Sequence, residues 1–91
     1  MTLQLMMFLG YKLYPTPANN QLVVEYPSGD NLSNQMLDIY DMLGKKVASY
    51  QLPANDDKLT LNVANIPAGL YLYTITSGDS IQQRGKIMIQ R

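Results

Sequence analysis

Two alternating apolar segments joined by a short turn of proline and glycine constrain this chain more than anything else in it. They occupy residues 59–75, LTLNVANIPAGLYLYTI. Leu59, Leu61 and Val63 recur with period two, and so do Tyr71, Tyr73 and Ile75, the spacing that lines one face of a strand. Between them lies Asn65-Ile66-Pro67-Ala68-Gly69. Pro67 holds its own φ and has no backbone donor, while Gly69 takes positive φ at low steric cost, so the chain leaves one strand and starts the next at a set angle. The unit is a strand, a corner and a strand.

The flanking sequence extends this pattern. Residues 1–10, MTLQLMMFLG, are apolar but far short of the ~20 residues that span a bilayer. They also lack the leading positive charge and small-residue cleavage site of a secretory signal, and read as an interdomain remnant or linker before a domain at 11–91. Residues 11–20 carry Pro15 and Pro17, which favour an extended surface loop turning at Ala18-Asn19-Asn20. Residues 21–26 form a strand with Leu22, Val24 and Tyr26 on one side, ended by the turn Pro27-Ser28-Gly29-Asp30. Residues 31–35 are polar and read as loop.

Residues 36–40 give the next strand, with Leu37 and Ile39 facing inward. Asp41-Met42-Leu43-Gly44 then reverses the chain, Asp41 bonding amides two residues on and Gly44 accepting positive φ. The return strand, 45–52, is expected to turn Val47 inward and to keep Lys45 and Lys46 at its solvent end, where they discourage edge pairing. After a polar tip at 55–57 comes the central unit, then a turn at 76–79 and a last strand over 80–90. In that strand Ile87 and Ile89 face inward, and Gly85 marks a bulge or a close backbone approach. No apolar stripe of helical period is sustained, and about seven short strands at 8–12-residue spacing predict an all-β, immunoglobulin-like antiparallel β-sandwich. The cysteine pair and tryptophan of antibody domains are missing.

Composition narrows function by exclusion. Ninety-one residues make one small domain, and seven basic against seven acidic residues leave no broad positive field for nucleic acid. Without histidine or cysteine, the nucleophile and base arrangements and the zinc sites built on them are ruled out, so no enzyme, catalytic residue, metal or cofactor is expected. The acids fall mostly in turns, where capping accounts for them better than calcium binding at 55–57 or around Asp30, or a glycosidase pair. Seven tyrosines could form a sugar-binding platform, but Tyr71 and Tyr73 share a face with Ile75 and read as core residues. The methionines read as gap-fillers.

Four blocks then stand out in order: LYPTPAN (13–19), LDIYDMLGKKV (37–47), LTLNVANIPAGLYLYTITSG (59–78) and GKIMIQR (85–91). Together they span nearly the whole chain, and the chain resembles the type A C-terminal sorting domain of the type IX secretion system. Thr16 stands where the family's first block usually has asparagine. The resemblance implies a non-catalytic secretion signal at the end of an exported protein, folded as an immunoglobulin-like sandwich in the periplasm and read by the outer-membrane machinery. It further implies removal by a surface sortase and delivery of a cargo to the cell surface or medium. Carried over by position, the recognition residues are Gly69 and Tyr71 in the central block and Gly85, Lys86, Ile87, Ile89 and Arg91 in the terminal one. The expected partners are the secretion machinery, the sortase and an N-terminal cargo domain absent from these residues, and an open edge strand could pair two copies weakly. An immunoglobulin-like adhesion or carbohydrate-binding module of a surface protein is the alternative.

Overall fold

The computed structural model describes residues 10–15, 18–27 and 34–90. The expectations for residues 1–9, the turn at 28–30, most of the loop at 31–35, and Arg91 lie outside the described residues. Seven strands are present among those described: β1 (Lys12–Tyr14), β2 (Gln21–Glu25), β3 (Gln35–Tyr40), β4 (Lys46–Leu52), β5 (Lys58–Asn62), β6 (Gly69–Ser77) and β7 (Ser80–Ile89). They form two antiparallel sheets, one ordered β1-β2-β5 and the other β4-β3-β6-β7. The corner at 63–68 therefore carries the chain from one sheet to the other. The structure is an immunoglobulin-like β-sandwich, and its core lies between the two inner faces.

That core follows from period-two alternation. Leu22, Val24 and Tyr26 face Leu61 and Val63 within one sheet and Leu37, Ile39, Tyr71, Tyr73, Ile75, Ile87 and Ile89 across the gap, all buried. Each fully buried aliphatic side chain contributes about 1.5–3 kcal/mol, so a domain of this size depends on nearly all of them. The turn at 41–44 forms as expected: Asp41 Oδ1 accepts from Leu43 N and Lys45 N at 2.9 Å each, and Gly44 sits at φ 90°.

Four expectations are corrected. Val47 points outward and is 37% exposed. Ile39 lies opposite Ala48 and Leu37 opposite Tyr50, so 48, 50 and 52 share the inner face. A bulge then pairs Tyr40 with Lys46 and leaves Val47 on the outside. Gln35 is not loop but the first residue of β3, and is 1% exposed. Residues 11–20 are not simply a surface loop: Lys12–Tyr14 pairs with β2, and Tyr11 and Ala18 are both buried. Met42 and Met88 lie exposed on the surface and fill no gap.

Tyr11 explains how a buried glutamine is tolerated. Its hydroxyl donates to Gln35 Oε1 at 2.5 Å, and Gln35 Nε2 donates to Pro27 O at 3.1 Å. The Tyr11 backbone is bracketed in turn by Gln83, whose Oε1 accepts from Tyr11 N at 3.2 Å and whose Nε2 donates to Tyr11 O at 3.1 Å. Among the described residues every buried side-chain polar atom has a partner, as a folded interior requires.

These tyrosines also set a pH response. Burial raises the Tyr11, Tyr26 and Tyr50 phenols above the ordinary value of 10.0, with Asp56 and Asp57 adding to the effect on Tyr26. The folded state thus prefers the neutral phenol, so the associated stability is fully present below pH 10 and is lost as pH climbs through the raised folded values. We expect a flat Tm from neutrality to about pH 9 and a decline beyond about pH 10. Tyr11→Phe should make that decline shallower, as read by circular-dichroism melts at stepped pH.

Candidate functional site

The residues assigned to recognition converge on one ladder. Gly69 lies opposite Ile89, Tyr71 opposite Ile87 and Tyr73 opposite Gly85, so two blocks separated in sequence become neighbours across β6 and β7. Directly opposed residues of an antiparallel pair share a face. All six therefore face the interior, and Tyr71, Ile87 and Ile89 are buried there. Lys86 is different: it lies opposite Leu72, on the outer face, and is exposed.

Tyr71 has a structural task that its position in the sequence hints at. Its hydroxyl donates to Pro67 O at 2.6 Å, four residues back, while Ile66 N donates to Val63 O at 3.0 Å. This pins the corner to the start of β6 in the manner of the tyrosine corner of immunoglobulin-like domains. Gly69 follows Pro67 and opens β6 at φ 156°. With Tyr71 and Tyr73 turned inward, neither contributes to an exposed aromatic platform.

Gly85 is a close approach rather than a bulge. The β6–β7 register runs unbroken past it and shifts only at Ile75/Thr76. The Tyr73 ring lies over its α-carbon, and a Cβ added there would stand 2.9 Å from Tyr73 Cε2. Gln83 Nε2 donates to the Tyr73 hydroxyl at 2.8 Å, holding the ring in place. Glycine is thus required by the ring.

On the outer face of the same strands, Tyr40, Leu72 and Lys86 form one cross-strand row, with Thr74 and Arg84 paired in the next. A groove of about 400 Å³ lies among them, with the backbone at Tyr73 and Gly85 beneath. Arg84 and Lys86 flank it on the β7 side. All seven acids of the chain precede residue 80, whereas Arg84, Lys86 and Arg91 follow it. Lys12 and Lys58 lie opposite Glu25, and Lys46 Nζ is 3.9 Å from Asp38 Oδ1. Among the described residues neither Arg84 nor Lys86 has such a pair. The sequence reading passed over Arg84, although the spacing Arg-Gly-Lys places two charges on one face of a strand.

The far end of β7 is tied to the start of the domain. Ala18 N donates to Met88 O and Gln90 N donates to Ala18 O, both at 2.8 Å, in a parallel bridge. The sequence reading missed this contact, because its only local sign is a small residue after two prolines. Among the described residues no three carboxylates gather in a cation-binding cluster, at 55–57 or elsewhere.

Comparison with known proteins places this geometry. No curated protein matches the chain. Among solved structures it resembles a DUF3244 family protein with an immunoglobulin-like β-sandwich fold from Bacteroides vulgatus ATCC 8482, at 23% identity and TM-score 0.66, covering 88% of this chain and 83% of that one. CopC from Methylosinus trichosporium OB3b aligns at 19% identity and TM-score 0.49, over 88% and 91% of the two chains. The family model that matches is described as the secretion system C-terminal sorting domain, and it covers residues 12–90.

Proposed function

This chain belongs to the C-terminal sorting domain family of the type IX secretion system, and from that membership we propose that it is the signal by which a cargo protein is directed across the outer membrane. The observation that carries the reading is the extent of the family match, from the first residue of β1 to the residue after β7. The domain acts by being recognised, with no chemistry of its own. The exported cargo ends at the cell surface or in the medium, passing through the periplasm, where the sandwich folds. A surface sortase then removes the domain.

The recognition residues divide into two physical groups under this reading. Gly69, Tyr71, Gly85, Ile87 and Ile89 act indirectly, because their packing and pairing fix where β7 lies. Lys86, with Arg91 beyond it, is what the machinery touches. Contact with a partner requires exposure, and Lys86 is the exposed one among the described residues of this set.

The experiment follows from that division. Residues 12–91 fused behind a reporter exported through the general secretion pathway should reach the surface of a bacterium that has the type IX system. Lys86→Glu is expected to cut the ratio of surface to periplasmic reporter about tenfold, the loss of about 1.4 kcal/mol of recognition, with the Tm unchanged. Retention of the intact, well-expressed parent fusion in the periplasm would falsify the reading.

A further inference from the structure

We infer that the outer edge of β7 at Arg84 and Lys86 accepts an extended acidic segment of a partner protein by strand addition. This rests on the sorting-domain reading and deepens it by naming the chemistry of what is bound.

The edge geometry comes first. Ala18 bonds to Met88 O and Gln90 N on the side of β7 away from β6, so even-numbered residues there turn their main-chain N–H and C=O outward from the sheet. Arg84 and Lys86 share that parity, and among the described residues nothing pairs with their outward groups. Ala18 closes the strand on one side of them and the Gln83 bracket around Tyr11 lies on the other. Among the described residues what remains is a short open edge, the template that an added strand uses.

Charge selects the occupant. A residue directly opposite Arg84 or Lys86 in an added strand shares their face, so carboxylates two residues apart would meet both cations. A second copy of this chain fits badly: antiparallel pairing about Gly85 sets Arg84 against the other copy's Lys86, and like charges directly opposed repel. An anionic surface offers no backbone to complete the ladder, and two exposed cations supply only weak adhesion to it.

The probe is an N-acetylated, C-amidated heptapeptide alternating valine and glutamate, titrated into the ¹⁵N-labelled full chain. Saturable binding with shifts concentrated on the Arg84 and Lys86 amides is expected. The double variant Arg84→Glu with Lys86→Glu should weaken it about tenfold or more, two attractions having become repulsions. A valine–lysine peptide should not bind, and N-methylation of alternate amides in the acidic peptide should abolish binding while leaving its charge intact. If the double variant fails to fold, Lys86→Gln together with the N-methylated peptide carries the same test. Absence of saturable binding overturns the inference, as does equal binding of the N-methylated peptide, or binding of phosphatidylglycerol vesicles in place of the peptide. Should the peptide fail while Lys86→Glu still blocks export of the reporter, the sorting reading stands and strand addition falls.

Discussion

Removing residues 86–91 is expected to unfold the domain and not merely to silence a signal. Ile87 and Ile89 are 3% and 1% exposed and pack in the centre of the core. Losing a buried isoleucine costs about 2–5 kcal/mol when truncated to alanine, and here two are deleted outright. The cut also removes the strand partners of Gly69, Tyr71 and Leu72 and the two bonds that hold Ala18. Set against the 5–15 kcal/mol of a typical domain, the sum leaves no folded state for a chain this small. Circular dichroism of the truncated chain should show no cooperative melt. A melt within a few degrees of the full chain would mean that β7 is not part of the core. One consequence is practical: failure of a truncated fusion to reach the surface does not separate address from fold, whereas Lys86→Glu does, because that side chain is exposed.

Gly85→Val should strongly destabilise the domain, although it adds atoms instead of removing them. Its Cβ would lie 2.9 Å from Tyr73 Cε2, 3.0 Å from the hydroxyl oxygen and 3.1 Å from Cζ, and Val adds two further methyl groups. The Tyr73 ring cannot swing aside cheaply, being buried and held by Gln83. Overpacking of this kind costs about 1–3 kcal/mol, and losing the ring's hydrogen bond places Val at the upper end. A drop in Tm of roughly 10–20 °C follows for a domain of this length. The mechanism is checked by a double-mutant cycle: in a Tyr73→Leu background the same substitution should cost far less, because the clash is with the ring. Additive effects would show that Gly85 is required for some other reason.

How much could be read without coordinates differs from residue to residue. Leu59, Leu61, Val63, Tyr71, Tyr73 and Ile75 declared their common faces, as did Leu22, Val24 and Tyr26, because alternation is a property of the extended backbone itself. Asp41 and Gly44 announced their turn for a similarly local reason. Val47 was assigned the wrong face. Its neighbour Ala48 is small and looks unremarkable in sequence, yet pairing with Ile39 turns it inward, and a bulge offsets Lys46. Gln35 looked like loop because its partners, Tyr11 and Pro27, lie outside its own strand.

The candidate site shows the same division. Four ordered blocks sufficed to suggest the family and to point to Gly69, Tyr71, Gly85, Lys86, Ile87 and Ile89, along with Arg91. Alternation already turned Tyr71, Ile87 and Ile89 inward, and with them Lys86 outward beside Arg84; sequence could not say that Gly69 lies opposite Ile89, Tyr71 opposite Ile87 and Tyr73 opposite Gly85.

From the chain alone came the strand-rich character, the corner at Pro67 and Gly69, the absence of histidine and cysteine and the family resemblance, since each depends on composition, on residues within a few positions or on their order. Tertiary structure alone decided which sheet each strand joins, that Tyr73 presses on Gly85, and that Ala18 pairs with the end of β7 while Gln83 brackets Tyr11. Those facts rest on hydrogen bonds and contacts between residues as many as 72 positions apart, and a period of two carries no information about what lies opposite.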